Sequence, residues 1–158
     1  MFKAASIASA AVLAVAGFAA PAAAQSISPA GASFVLSGSL TLQQSTTINC
    51  DVSLNGTVAP DGSSATITGG SFSAGDWQCG FLVSPSGFPW TITPNGGGSI
   101  TITNIGASSI LGSCNGVITT NWDNGTSSVS FPGSTIPGSP NPCTIVGTLT
   151  STPGLTIS

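Results

Sequence analysis

Beyond its first two dozen residues the chain alternates apolar and small polar side chains, the two-residue period of a strand with one face buried. Phe34, Leu36, Leu40 and Leu42 form one such row, with Gly38 in the gap. Ile48, Cys50, Val52, Leu54 and Val58 form the next, interrupted by Gly56. Trp77, Cys79, Phe81 and Val83 make a third, and Phe88, Trp90 and Ile92 a fourth. Ile100 and Ile102 follow, then Ile110, Cys114, Ile118 and Trp122, then Cys143, Ile145 and Leu149, and last Leu155 and Ile157. Asp61-Gly62, Gly69-Gly70, Asn95-Gly96, Asn115-Gly116 and Asn124-Gly125 separate these rows and suit turns with positive φ. Four prolines between residues 132 and 142 predict a loop. Short strands at this spacing predict one all-β domain over residues 25–158, a single β-sandwich of Greek-key or immunoglobulin-like topology. Trp77 and Trp122 are in phase with its core.

Two stretches share a plan. Cys50 leads through a strand, Asp61-Gly62-Ser63-Ser64 and a second strand to Cys79. Cys114 leads through a strand, Asn124-Gly125-Thr126-Ser127 and a second strand to Cys143. Asn55-Gly56-Thr57 and Asn124-Gly125-Thr126 match the glycosylation sequon, but they also fit strand and turn positions and are read structurally.

Residues 1–24 have the form of an export leader. Lys3 supplies the positive start, Ala4 to Ala20 an Ala-rich apolar stretch, and Ala22-Ala23-Ala24 a small-residue cleavage signal after Pro21. No later run approaches the ~20 apolar residues that span a bilayer, so the exported chain is not expected to cross a membrane.

The composition then excludes whole classes of function. After residue 24 there is no Lys, Arg, His, Glu, Tyr or Met, and the only ionisable side chains besides the thiols are Asp51, Asp61, Asp76 and Asp123. Nucleic-acid binding lacks its phosphate-neutralising cations. General acid–base catalysis near neutral pH lacks its usual groups, and zinc or copper sites lack histidine. The aspartates sit mostly beside Gly or Asn in turns, with no Asp-Thr-Gly or Asp-Ser-Gly triplet. The chain is expected to be no enzyme and to carry no cofactor or metal.

Four cysteines in an oxidising compartment favour two disulfides. Three pairings are open. The intervals of 29, 35 and 29 residues favour Cys50 with Cys79 and Cys114 with Cys143, and the in-phase positions place both bridges in the core. Phe88 and Trp90, flanking Pro89, are candidates for contact with a ligand, with core packing the alternative. The row Phe34, Leu36, Leu40 and Leu42, ahead of the first cysteine, is a candidate donor strand for a neighbouring copy, set against pairing within its own domain. Ser and Thr make up 43 of the residues after position 24. A surface so poor in charge is weakly repelled by neighbours and by apolar interfaces, and it lacks the lysines that guard sheet edges.

The order of short motifs resembles one bacterial family. These are Ser28-Pro29-Ala30-Gly31 with Phe34, Asn49-Cys50, Cys79, Phe88-Pro89-Trp90, Leu111-Gly112-Ser113-Cys114, Trp122-Asp123-Asn124, Cys143-Thr144-Ile145 and Leu155-Thr156-Ile157. Together they resemble the secreted "protein activator of alkane oxidation" proteins of PraB type, with Phe88 where that family has Leu. The resemblance implies a small protein secreted by a Gram-negative bacterium, extracellular or on the cell surface, that assists growth on alkanes; it carries over no catalytic residue. The combined expectation is a non-catalytic surface-active or adhesive protein partnered by apolar interfaces or the cell surface. Its alternative is a self-associating subunit of extracellular fibres or biofilm matrix, assembled by exchange of the N-terminal strand.

Overall fold

A computed structural model describes residues 24–158, so the leader, apart from Ala24, lies outside the described residues. The strands are β1 (Ile27–Ser28), β2 (Ser33–Gln43), β3 (Thr47–Val58), β4 (Ala65–Gly75), β5 (Val83–Ser86), β6 (Trp90–Gly96), β7 (Ser99–Ser109), β8 (Gly112–Asp123), β9 (Ser128–Ile136), β10 (Gly138–Ser139), β11 (Cys143–Thr152) and β12 (Thr156–Ile157).

Each long strand pairs antiparallel with the next along the chain, and β11 returns to pair with β2. β5 and β6 lie end to end along β7 and count as one broken stave, as do β9 and β10 along β8. The result is a closed eight-stranded up-and-down barrel, which corrects the expected sandwich and its Greek-key or immunoglobulin-like crossing. The cause is the β11–β2 ladder, running from Thr144↔Gln43 to Thr152↔Val35. Alternating rows build the inner face of a sandwich or a barrel equally well, and only the pairing of the last stave with the first separates the two.

Alternation puts the apolar rows inside. Along β3, Ile48, Cys50, Val52, Leu54 and Val58 are buried, while Asn49, Asp51, Asn55 and Thr57 are exposed. The outer wall is mostly small polar residues that bond across strands: Thr101 pairs with Thr119 at 3.0 Å and accepts from Asn95 Nδ2 at 2.9 Å. A membrane-spanning barrel has the opposite arrangement, with its apolar band outside. Among the described residues, no helix is long and apolar enough to cross a membrane.

The two ends differ. At one, β1 and β12 form a short ladder, Ile27↔Ile157, that lays buried Ile27, Leu155 and Ile157 across the barrel as a floor. Ser26 and Ser158 exchange backbone hydrogen bonds there, at 3.3 and 3.0 Å. The β3–β4 turn shares this end: Gly62, at φ +73°, donates to Ala59 O and accepts from Ile27 N.

The expected loop at 132–142 is also corrected, because β9 runs to Ile136 and β10 follows. Pro132 fits because it stands beside the register shift between Ile145 and Val146, where a proline is tolerated in a sheet.

Candidate functional site at the open end of the barrel

The opposite end is a mouth formed by the β2–β3 turn, the 76–82 loop, the β7–β8 turn and the segment from 140 to 142. Both disulfides stand here, Cys50–Cys79 and Cys114–Cys143, with Cα separations of 5.6 and 6.1 Å. The pairing favoured by the equal intervals is therefore the one found. Each bridge brackets a hairpin that leaves the mouth, turns at the floor and returns, which is why both span the same length of chain. In the ring the two hairpins stand on opposite sides. Cys50 and Cys114 are buried, while Cys79 and Cys143 are half-buried at the rim. The bridges thus run from the core outward to the loops rather than lying wholly within it.

The 76–82 loop is held from both sides. Asp76 N donates to Asn49 O at 2.9 Å, and Asn49 N donates to Asp76 Oδ2 at 2.7 Å. Gly80 N bonds Val83 O at 3.0 Å, and Leu82 N bonds Gln78 O at 2.9 Å. With its backbone fixed this way, the loop turns Trp77 and Phe81 out to solvent, 73% and 83% exposed. Next to it, where β5 pairs with β7 at Val83↔Ser109, Ile110 and Leu111 form the β7–β8 turn and are 77% and 58% exposed, with Leu111 N anchored on Ser109 Oγ at 3.1 Å. Scattered apolar side chains are ordinary on a surface; four large ones gathered at one end are an apolar patch. Gln44 completes the rim, donating from Nε2 to Ser139 O at 3.1 Å and to Asn141 O at 2.8 Å.

This corrects three expectations. The row Trp77, Cys79, Phe81, Val83 is not a strand before Val83 opens β5, because Gly75 just ahead of it and Gly80 within it, at φ +81° and +75°, turn the chain. Trp77 is exposed rather than buried, while Trp122 is buried as expected. Ile110 also leaves the core. One signal was present: Ile110 and Leu111 are adjacent apolar residues directly before Gly112, a break in the alternation that marks a turn.

Below the mouth a cavity of about 110 Å³ runs into the barrel. Its wall reaches from Gln44 and Leu42 at the rim to Leu36, Ile67, Trp90 and Leu149, and among the described residues no charged side chain lines it. Trp90 is buried, with its indole Nε1 donating to Ser86 O at 2.7 Å, so its ring offers the lumen an apolar surface. Phe88 stacks on it at 4.9 Å between centroids and 24° between planes, half-buried outside the cavity lining. Of the candidate donor strand, Leu36, Leu40 and Leu42 line the lumen and Phe34 lies closer to the floor. Both edges of that strand are hydrogen-bonded within the same chain, to β3 and to β11.

The four aspartates are all exposed and fall at different places. Among the described residues, no three His, Cys, Asp or Glu side chains come together as metal ligands. Asp61 accepts from Ser63 N at 3.0 Å and from Ser63 Oγ at 2.8 Å, which holds its carboxyl below the usual aspartate value.

No curated protein and no solved structure gives a significant match to the chain. A family model, described as alkane oxidation protein activator PraA/PraB-like, matches residues 1–158. With the whole length matched, the chain belongs to the PraA/PraB-like family of alkane oxidation protein activators.

Proposed function

We propose that the protein is exported and acts without catalysis at the boundary between water and apolar phases such as liquid alkanes, touching them mouth first. The observation that carries this reading is the set of exposed Trp77, Phe81, Ile110 and Leu111 on two loops at one end of a barrel whose wall, apart from Val117 and Val146, is mostly small and polar. Lowering that end into an oily surface removes four large apolar side chains from water, worth roughly 1.5–3 kcal/mol for each one fully buried. The wall carries almost no charge to be desolvated. Membership of an alkane-oxidation family agrees with such a role, and two disulfides suit an exported chain. Fibre assembly by exchange of β2 is the weaker reading, since release of that strand breaks both ladders that close the barrel beside it.

Pendant-drop tensiometry at a hexadecane–water boundary tests the proposal. The wild type should lower the tension well beyond a charged control protein of similar size. A variant with Trp77, Phe81, Ile110 and Leu111 all changed to Ser should lose most of that effect while keeping its β-type circular dichroism. Equal lowering by the folded variant or by the control would overturn the reading.

A further inference from the structure

We infer that the lumen is a binding site for one uncharged, unbranched alkyl chain, which enters through the mouth and lies along the barrel axis. The inference deepens the interfacial reading and rests on it only for the way the mouth meets its source of chains.

Three observations select this occupant. The first is shape. The wall on β2 extends from Gln43 down to Leu36, a depth of roughly 16–19 Å at ~3.3 Å per residue and a strand tilt of 35–45°. The lumen is ringed by eight staves, a barrel just wide enough for side chains or one small ligand. A long, narrow space of that kind takes an extended chain and rejects a branched or polycyclic one. The second is lining. Inward positions on β7 shrink toward the rim, from Ile105 through Ala107 to Ser109, so the barrel's own side chains leave the upper lumen unfilled. Its volume of about 110 Å³ is of the order of apolar cavities that stay dry and take up hydrocarbon guests. The third is charge. The chain's one basic residue is Lys3, and the polar groups along the lumen, Gln44 and Ser109 among them, are neutral and stand near the mouth. A fatty-acid carboxylate would find no cation there, and an unpaired charge is costly to bury. A hydrocarbon end group incurs no such cost.

Displacement of the fluorophore N-phenylnaphthylamine from the full exported chain, below its own aggregation range, reads the binding. The n-alkanes from pentane to hexadecane should compete saturably. Each added CH2 should tighten binding about fourfold, and the gain should cease once the lumen is full. Dodecanoate at about pH 8 should bind at least about tenfold more weakly than dodecane. Ala107→Phe, which fills the upper lumen, should weaken dodecane about tenfold or more. If Phe is too large to fold there, Ala107→Leu and the chain-length limit on the wild type carry the same test.

Absence of saturable uptake would overturn the inference, as would tightening that continues without a limit, or dodecanoate binding as tightly as dodecane. Saturable uptake by a protein that leaves hexadecane–water tension unchanged would overturn the interfacial reading and leave this one standing. Lowered tension without uptake would do the reverse.

Discussion

Asn124 pairs with the backbone of Ile157 as a strand would: its Nδ2 donates to Ile157 O at 2.8 Å and its Oδ1 accepts from Ile157 N at 2.7 Å. One amide side chain thereby ties the β8–β9 turn to the floor and continues the short ladder that Ile27 makes with Ile157. Both polar ends of Asn124 are engaged, in keeping with the structural reading of Asn124-Gly125-Thr126.

Asn124→Ala should therefore lower stability by about 1–3 kcal/mol, the cost of leaving two partly buried backbone groups without a partner. Hydrogen exchange should quicken at Ile157 and at Ile27 before it quickens at Leu36 or Val52. Equal protection in the variant and the wild type would show that the floor does not depend on this side chain.

Phe34 and Gly56 face each other across the β2–β3 ladder. A Cβ built on Gly56 would stand 2.9 Å from Phe34 Cε1 and closer still to Cζ. Gly56→Ala should cost about 1–3 kcal/mol through overpacking, measured by denaturant titration. Pairing it with Phe34→Leu should recover part of that loss, and strict additivity of the two changes would count against the contact.

Removing the Cys50–Cys79 bridge with paired Ser substitutions should lower stability by about 2–5 kcal/mol and release the 76–82 loop. The readout is local: hydrogen exchange should rise at Gly80 and Leu82, whose amides are bonded within and beside that loop, and interfacial activity should fall with it. Removing Cys114–Cys143 should spare the loop. An interfacial effect of the same size from either pair would show that the fall does not come from release of Trp77 and Phe81.

The chain has no histidine, the side chain whose ordinary charge change falls between about pH 5 and 8, so the melting temperature should stay level across about pH 5 to 7. Asp61 has its pKa lowered by the folded β3–β4 turn. The sign follows from linkage: the stability it contributes is present above the unfolded aspartate value and is lost as pH falls through the lower folded value. Acid should therefore begin to destabilise the barrel near the ordinary aspartate value of 3.8 and below it. Asp61→Asn should flatten part of that fall, and a curve that already slopes at neutral pH would contradict the argument.

With no cation after Lys3, adsorption to an alkane surface should not depend on screening. Tension curves from about 10 mM to 1 M salt should overlay for the wild type. Loss of activity in salt would point to attraction between charges, for which the mouth offers only the exposed carboxylate of Asp76.

Much of the strand pattern is local information. The rows Ile48 to Val58 and Phe34 to Leu42 alternate, and they form strands with those residues inside or lining the lumen. The disulfide pairing was also within reach, because a hairpin that starts and ends at the same rim gives both bridges the same interval. Ring closure was not, since Thr152↔Val35 joins residues more than a hundred positions apart and nothing in either row names its partner. Closure also answers the want of edge lysines: a strand bonded on both sides has no edge to guard. The rim is hidden from the sequence for a related reason. Trp77 and Phe81 keep the two-residue period of a buried row, and only the glycines around them, whose φ is set by the turn, send that segment outward.

Ser26 and Ser158 meet at the floor, on the far side of the barrel from Trp77 and Leu111. A tag, carrier or solid support joined beside either residue would hang from the blunt end of the molecule. Beads or cells decorated through that link would present a lawn of upright cups, every opening facing the medium.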